Sequence, residues 1–89
     1  MSGFMGGSAW AMTRDIADGF VNVTDRTFRS LSVVQIQKLG HEIQRLLREL
    51  RGGAVADEPL PELQKRQRRI QRLNSARTMM QSHRQRTRR

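Results

Sequence analysis

The sequence predicts an all-α protein, namely an antiparallel, coiled-coil-like two-helix hairpin with a partly flexible N-terminal extension and a basic C-terminal tail. Three observations predict this class. A capping signal at Ser32 opens a long amphipathic pattern, a segment containing paired glycines and two prolines follows it, and a stretch of helix-forming residues without Gly or Pro begins at Glu62. We expect the extension over residues 1–30, the hairpin over 31–82 and the tail over 83–89.

Length and composition set limits on stability. A chain of 89 residues forms one small domain at most and buries only about 60 to 65% of its unfolded surface. It contains no cysteine, so neither a disulfide nor a thiolate metal site can stabilise the fold. Stability must therefore come from packing within the chain or against a partner.

The N-terminal extension combines a glycine-rich lead with large aromatic residues. Three glycines and two serines among the first eight residues predict a flexible lead. The pattern from Ala9 to Phe20 predicts a short amphipathic helix closed by Gly19, with an apolar stripe of Trp10, Ile16, Ala17 and Phe20. The segment 21–28 alternates apolar and polar residues, which we interpret as a linker because a single strand has no partner. The aromatics either fold back on the hairpin or anchor the chain to a partner.

The first long helix has a clear start and stop. Ser32 as N-cap with Gln35 three residues later forms a capping box, and Leu31 and Ile36 occupy the positions of a hydrophobic staple. Gly52-Gly53 supplies the C-terminal stop. One apolar face follows from the helical period, and it consists of Ile36, Leu39, Ile43, Leu46, Leu47 and Leu50.

The second long helix should run from Glu62 to about Gln81 and fray beyond it. Its apolar positions are Leu63, Ile70, Leu73 and Met80. An antiparallel register follows if these positions meet those of the first helix. It pairs Leu50 with Leu63, Ile43 with Ile70 and Val33 with Met80, and it sets Gly40 opposite Leu73.

Charge is strongly segregated along the chain. Residues 1–62 hold seven basic and eight acidic groups, a net of −1, whereas residues 63–89 hold ten basic groups and no acid, a net of +10. If the apolar stripe of this helix packs inward, a strip of cations should face solvent. The guanidinium groups in that strip can donate forked hydrogen bonds to phosphate oxygens. The predicted nucleic-acid contacts are Lys65, Arg66, Arg68, Arg69, Arg72, Arg84, Arg86, Arg88 and Arg89.

The sequence does not favour catalysis, a cofactor or a metal site. His41 falls on the polar side of the first helix and His83 in the predicted tail, so the two histidines do not form a ligand cluster. Sequence-specific recognition motifs are also missing, since no helix-turn-helix, zinc finger or RNA-binding aromatic motif occurs. We therefore expect a binding protein and not an enzyme.

Two functional hypotheses remain. The first is a small helical binder of a nucleic-acid phosphate backbone, as an accessory or structural component of a larger ribonucleoprotein or DNA-bound assembly. The second is a helical adaptor that binds protein partners, with an acidic protein surface attracting the basic tail. Its partner-binding residues would be Trp10, Ile16, Phe20, Ile36, Leu39, Ile43, Leu46, Leu47 and Leu50. A homo-oligomer or a subunit of a larger complex fits both hypotheses, and a membrane surface is a weaker candidate partner.

The layout of a leucine-rich helix, a turn and an arginine-rich helix (Gln67-Arg68-Arg69-Ile70-Gln71-Arg72-Leu73) is similar to small hairpin proteins of the large ribosomal subunit. The similarity covers residues 31–80 and departs in the glycine-rich loop and the N-terminal extension. It concerns topology and carries no diagnostic motif or residue role. The N-terminus lacks a basic, then apolar, export signal, so we expect an intracellular protein of the cytoplasm or an organelle interior.

Overall fold

The computed structural model describes residues 7–52 and 58–87, and over these residues the chain forms four helices. They are α1 (Ala9–Ala17), α2 (Asp25–Arg29), α3 (Val33–Gly52) and α4 (Leu60–Thr87). The all-α class is confirmed. The two-helix hairpin is not confirmed, because α1 packs against both α3 and α4, and α2 packs against α4.

α1 is held by capping at both ends. At its start the Ser8 hydroxyl accepts a hydrogen bond from the Ala11 N–H at 3.1 Å. At its end Gly19 takes a φ of 82°. The N–H groups of Gly19 and Phe20 then donate to the carbonyls of Ile16 and Asp15, which is a Schellman motif. These local signals explain how a helix of only nine residues is defined at each end.

The buried face of α1 differs from the predicted stripe. It consists of Met12, Thr13, Ile16 and Ala17, whereas Trp10 and Phe20 are exposed. Thr13 tolerates burial because its hydroxyl donates to the Ala9 carbonyl at 2.7 Å. α1 therefore enters the core through small and aliphatic side chains and leaves its aromatic groups at the surface.

α2 lies where a linker was predicted, so that interpretation is wrong from Asp25 onward. The Thr24 N–H donates to Thr27 Oγ1 at 3.2 Å, and Asp25 places a negative charge in the first turn. Phe28 is fully buried. Burial of this aromatic ring, which an alternation pattern does not reveal, stabilises a helix too short to form alone.

α3 follows its predicted start and apolar face. The Ser32 N–H donates to Gln35 Oε1 at 2.8 Å, and the Gln35 N–H donates to Ser32 Oγ at 3.1 Å, which is the predicted capping box. The predicted apolar face lies inward. Leu50 is half-buried, and the other members, Ile36, Leu39, Ile43, Leu46 and Leu47, are buried.

α4 extends beyond both predicted ends, from Leu60 to Thr87. Pro61 stands in the first turn, where its missing N–H costs no helical hydrogen bond. At the other end His83 is only 7% exposed and packs against Phe28 in a tilted arrangement, with ring centroids 5.7 Å apart. Packing against α2 thus orders residues that were predicted to fray.

The register between α3 and α4 differs from the prediction by one heptad. Gly40 lies opposite Met80 and not opposite Leu73: a Cβ placed on Gly40 would lie 3.3 Å from Met80 Sδ. Leu73 is fully buried in the core that α1 helps to build. Two apolar stripes of near-heptad spacing match equally well when one slides by seven residues, so sequence spacing alone does not determine the register.

All four helices and the α2–α3 connection contribute to a single apolar cluster. Its buried members are Met12, Ile16, Ala17, Phe28, Leu31, Ile36, Leu39, Ile43, Leu46, Leu47, Leu73, Ala76 and Met80. Val21, Val23, Leu50, Ile70 and Met79 pack against it while partly exposed. The third layer supplied by α1 covers apolar surface that a two-helix hairpin would leave exposed.

Candidate nucleic-acid interface

The charged side chains of α4 are arranged around its core-facing side. Leu73, Ala76, Met80 and His83 are buried and mark the side toward the other helices. Basic residues lie to either side of this buried strip. Because α4 repeats every 3.6 residues, the cations form two separate rows instead of the single outward strip that the sequence predicted.

The first row borders the turn after α1, and we call Lys65, Arg68 and Arg72 the α1-side row. Arg68 and Arg72 line a groove of about 510 Å³ together with Gly19, Val21 and Val23. Arg72 donates from Nη1 to the Ala17 carbonyl at 3.0 Å. Lys65 and Arg68 are exposed and make no ion pair with any acid of residues 7–52 and 58–87. They are thus directed to solvent as charged groups.

The second row borders α3, and we call Arg77 and Arg84 the α3-side row. Both line a groove of about 460 Å³ between α3 and α4, with Gly40 and His41 on its opposite wall. Three glutamines, Gln37, Gln44 and Gln81, complete its polar lining, and no acidic side chain belongs to it. The groove therefore offers hydrogen-bond donors and positive charge to an anionic ligand.

Three predicted phosphate contacts are ion-paired within the chain. Arg66 pairs with Glu58, and its side chain is only 13% exposed. Arg69 Nε lies 3.3 Å from Asp18 Oδ1. Arg86 Nη2 lies 2.6 Å from Asp25 Oδ1. These arginines connect α4 to neighbouring segments, so their charges are partly neutralised before any ligand arrives.

Asp25 is contacted by three basic side chains. His83 Nδ1 lies 3.0 Å from its Oδ1, which Arg86 also contacts, and Arg29 approaches Oδ2 with Nε at 2.9 Å and Nη2 at 2.8 Å. The hydrogen bond with His83 has the largest effect and lowers the pKa of Asp25 below its ordinary value of 3.8. Burial opposes this shift, and the charges of Arg86 and Arg29 reinforce it. The cluster fastens the end of α4 to α2.

The side of α4 turned away from the core carries no charge. We call this surface the amide stripe, and it consists of Gln64, Gln67, Gln71, Asn74, Ser75, Thr78, Ser82 and Gln85, with Gln81 at its border with the α3-side groove. Asn74 is half-buried and the others are exposed. The stripe runs between the α1-side row and the α3-side row. The predicted contact residues include neither these amides nor Arg77, although a helical projection of the whole segment 60–87 separates the amides from the cations.

The predicted nucleic-acid residues are thus divided among several positions. Lys65, Arg68 and Arg72 share one row, Arg84 lies in the other, and Arg66, Arg69 and Arg86 contact acids within the chain. Arg88 and Arg89 lie outside the described residues. Two spatially separate cationic surfaces therefore exist where the sequence suggested one.

Most residues predicted to bind a protein partner lie inside the chain's own core. Ile16, Ile36, Leu39, Ile43, Leu46 and Leu47 are buried there, and Leu50 packs against it. Trp10 remains 53% exposed, with the Arg14 guanidinium 4.2 Å from its ring centroid, and Phe20 is 80% exposed. Only these two members of the predicted set present substantial surface to a partner.

Neither a metal cluster nor a membrane span is present in the described part of the chain. No group of three His, Asp or Glu side chains gathers within residues 7–52 and 58–87. Over the same residues, none of the helices has the combined length and apolar character that crossing a bilayer requires. The comparisons of this chain with protein-family models, with curated proteins and with solved structures gave no match.

Proposed function

We propose that the protein binds a nucleic-acid phosphate backbone through α4, as an accessory or structural component of a larger nucleoprotein assembly. The observation that carries the proposal is the charge arrangement of this helix. Two cationic rows flank an exposed, uncharged stripe, and no acid occurs from Leu63 to Arg89. A polyanion that contacts both rows would meet no repulsive charge on the helix itself.

Two physical effects support this function. A guanidinium group presents forked N–H donors that match phosphate oxygens, and the exposed Arg68 side chain offers this geometry without a competing acid among residues 7–52 and 58–87. Each phosphate that is neutralised releases condensed counterions, which favours association at moderate salt. Affinity should therefore depend mainly on charge and salt.

The test compares two triple variants with equal loss of charge. Lys65→Gln/Arg68→Gln/Arg77→Gln removes cations from both rows of α4. Lys38→Gln/Arg48→Gln/Arg51→Gln removes three exposed cations of α3 that line neither groove. Glutamine keeps helix propensity close to that of the replaced residues, so folding should persist in both variants.

Binding of a fluorescent oligonucleotide is measured across a salt series. In the α4 variant, the plot of log affinity against log salt should become shallower by roughly 2 to 3, at about 0.7 to 0.9 for each lost phosphate contact. The α3 variant should retain nearly the wild-type slope. Equal slopes for all three proteins, with helicity intact by circular dichroism, would exclude α4 as the phosphate contact.

A second candidate function is protein binding as a helical adaptor. It is supported by the 80% exposure of Phe20, a large apolar side chain that follows Gly19, one of the residues lining the groove with Arg68 and Arg72. A nuclease-treated pull-down separates the two functions. Partners that persist after nuclease treatment and are lost with Phe20→Ala favour the adaptor, whereas partners lost on nuclease treatment favour nucleic-acid binding.

A further inference from the structure

The amide stripe needs an explanation of its own. α4 is the most basic element of the chain, yet from Gln64 to Gln85 the side opposite its buried strip consists of amide and hydroxyl groups. The exposed positions of α3, by contrast, mix Lys38, Arg45 and Arg48 with Glu49, as expected for a solvated helix face. Phosphate contact alone does not require an uncharged surface between two cationic rows.

The geometry points to the major groove of duplex DNA as the site that receives α4, an inference that rests on the proposed function and specifies its ligand. Base edges in that groove carry hydrogen-bond donors and acceptors without net charge, and amide side chains match them. The two phosphate strands lie on either side of the groove, where the α1-side row and the α3-side row would meet one strand each.

Dimensions agree with this placement. A helix with its side chains is about 10 to 12 Å across, and the major groove is about 12 Å wide. α4 has 28 residues, so it is about 42 Å long and extends beyond one groove crossing. A straight helix brings only a few side chains to base edges. The central members of the amide stripe, Gln67, Gln71, Asn74 and Thr78, are therefore the ones placed against the bases.

The chemistry of these four residues selects a sequence class. Glutamine and asparagine side chains can each accept from adenine N6 and donate to its N7 in a bidentate pair. Thr78 donates its hydroxyl to the Asn74 carbonyl at 3.0 Å, which leaves its methyl group for contact with thymine. We therefore infer a preference for A·T-rich duplexes.

Other occupants fit less well. A-form RNA has a deep, narrow major groove that side chains do not enter, so an RNA duplex would be held by its phosphates alone. A second copy of the chain, docked stripe to stripe, would bring the cationic rows of two molecules with a net charge of +9 each close together. Charge complementarity favours the polyanion.

The test measures binding of the full chain to an A·T-rich DNA duplex, a G·C-rich DNA duplex and an RNA duplex of the A·T-rich sequence at one salt concentration. We expect the A·T-rich DNA to bind at least tenfold more tightly than either of the others. Replacing its adenines with 7-deazaadenine removes only the N7 acceptor from the major groove. This change should remove most of the A·T preference while leaving the phosphates untouched.

Variants then locate the contact. Gln67→Ala/Gln71→Ala/Asn74→Ala should weaken A·T-rich DNA binding by roughly tenfold or more, down to the affinity for G·C-rich DNA, and leave G·C-rich DNA binding unaffected. Lys38→Gln/Arg48→Gln, at two exposed positions of α3 that line neither groove, should leave the A·T preference unchanged. Salt-dependent binding that is equal for all three duplexes, and that the triple alanine variant of Gln67, Gln71 and Asn74 leaves unchanged, would overturn the major-groove inference. The proposal of backbone binding would remain. Failure to bind any nucleic acid would overturn the proposed function itself.

Discussion

His83 of α4 lies 3.0 Å from Asp25 of α2, measured from Nδ1 to Oδ1, although 58 residues separate them in the sequence. Arg86 contacts the same carboxylate oxygen, and Arg29 contacts the other. One acidic group thereby joins α2 to the last turns of α4. This contact accounts for a helix that continues through an arginine-rich segment where like charges alone would favour fraying.

The Asp25 cluster predicts an acid-sensitive contribution to stability. Its pKa is lowered in the folded state, so stabilisation is complete above the ordinary value of 3.8 and is lost as the pH falls through the lower, folded-state pKa. Asp25→Asn should reduce stability at neutral pH and flatten the loss of stability in acid. Urea unfolding at a series of pH values, followed by circular dichroism, measures both effects.

A control for this prediction is Glu62→Gln, because Glu62 is exposed and pairs with no cation among residues 7–52 and 58–87. Its acid profile should follow that of the wild type. If Asp25→Asn matches the wild type in neutral stability and in acid profile, the cluster does not hold α4.

The register of α3 against α4 can be tested with a double-mutant cycle. Gly40→Leu should destabilise the fold because the added side chain meets Met80. Met80→Ala removes that obstacle at a cost of about 2 to 5 kcal/mol for the lost burial. The double variant should be more stable than the sum of the two single effects by about 1 to 3 kcal/mol.

The matching cycle uses Leu73, the residue that sequence spacing placed opposite Gly40. Gly40→Leu combined with Leu73→Ala should show no such relief, since the space opened by Leu73→Ala does not lie against Gly40. Chemical denaturation provides all the free energies of unfolding. Relief with Leu73→Ala and none with Met80→Ala would restore the register predicted from sequence.

The place of α1 in the core predicts unequal effects of its apolar residues. Ile16 is 3% exposed, so Ile16→Ala should cost about 2 to 5 kcal/mol, a large part of the stability of so small a domain. Trp10→Ala removes a larger but half-exposed side chain and should cost well under half as much. Thermal and urea unfolding of the isolated chain measure both. Similar costs for the two variants would indicate that α1 is not packed as described.

The end of α1 predicts a backbone effect at Gly19. Its φ of 82° costs a residue with a Cβ about 1 to 2 kcal/mol, and the new atom would also lie 3.1 Å from Arg72 Cζ. Gly19→Ala should therefore destabilise the protein by at least 1 kcal/mol. Gly52→Ala is the matched control, because no atom lies within 4 Å of the added Cβ and its φ is not positive. It should leave the melting temperature unchanged or raise it.

Local signals in the sequence were sufficient to predict parts of the fold. The capping box of Ser32 and Gln35, the apolar face of α3 and the glycine stop after α1 all depend on residues within a few positions of one another. The segregation of positive charge into residues 63–89 likewise needs no structure. Such features are determined by short-range hydrogen bonding, backbone sterics and helical periodicity.

Only the tertiary structure decided which side chains pack in the core, which form ion pairs and which remain exposed. Asp18, Asp25 and Glu58 take Arg69, Arg86 and Arg66 as partners across the sequence, so arginines of equal chemistry acquire different roles. The heptad shift between α3 and α4, and the entry of α1 through Met12 and Ile16, are also long-range outcomes. They depend on how three apolar surfaces fit together at once, and periodicity within any one helix does not specify that fit.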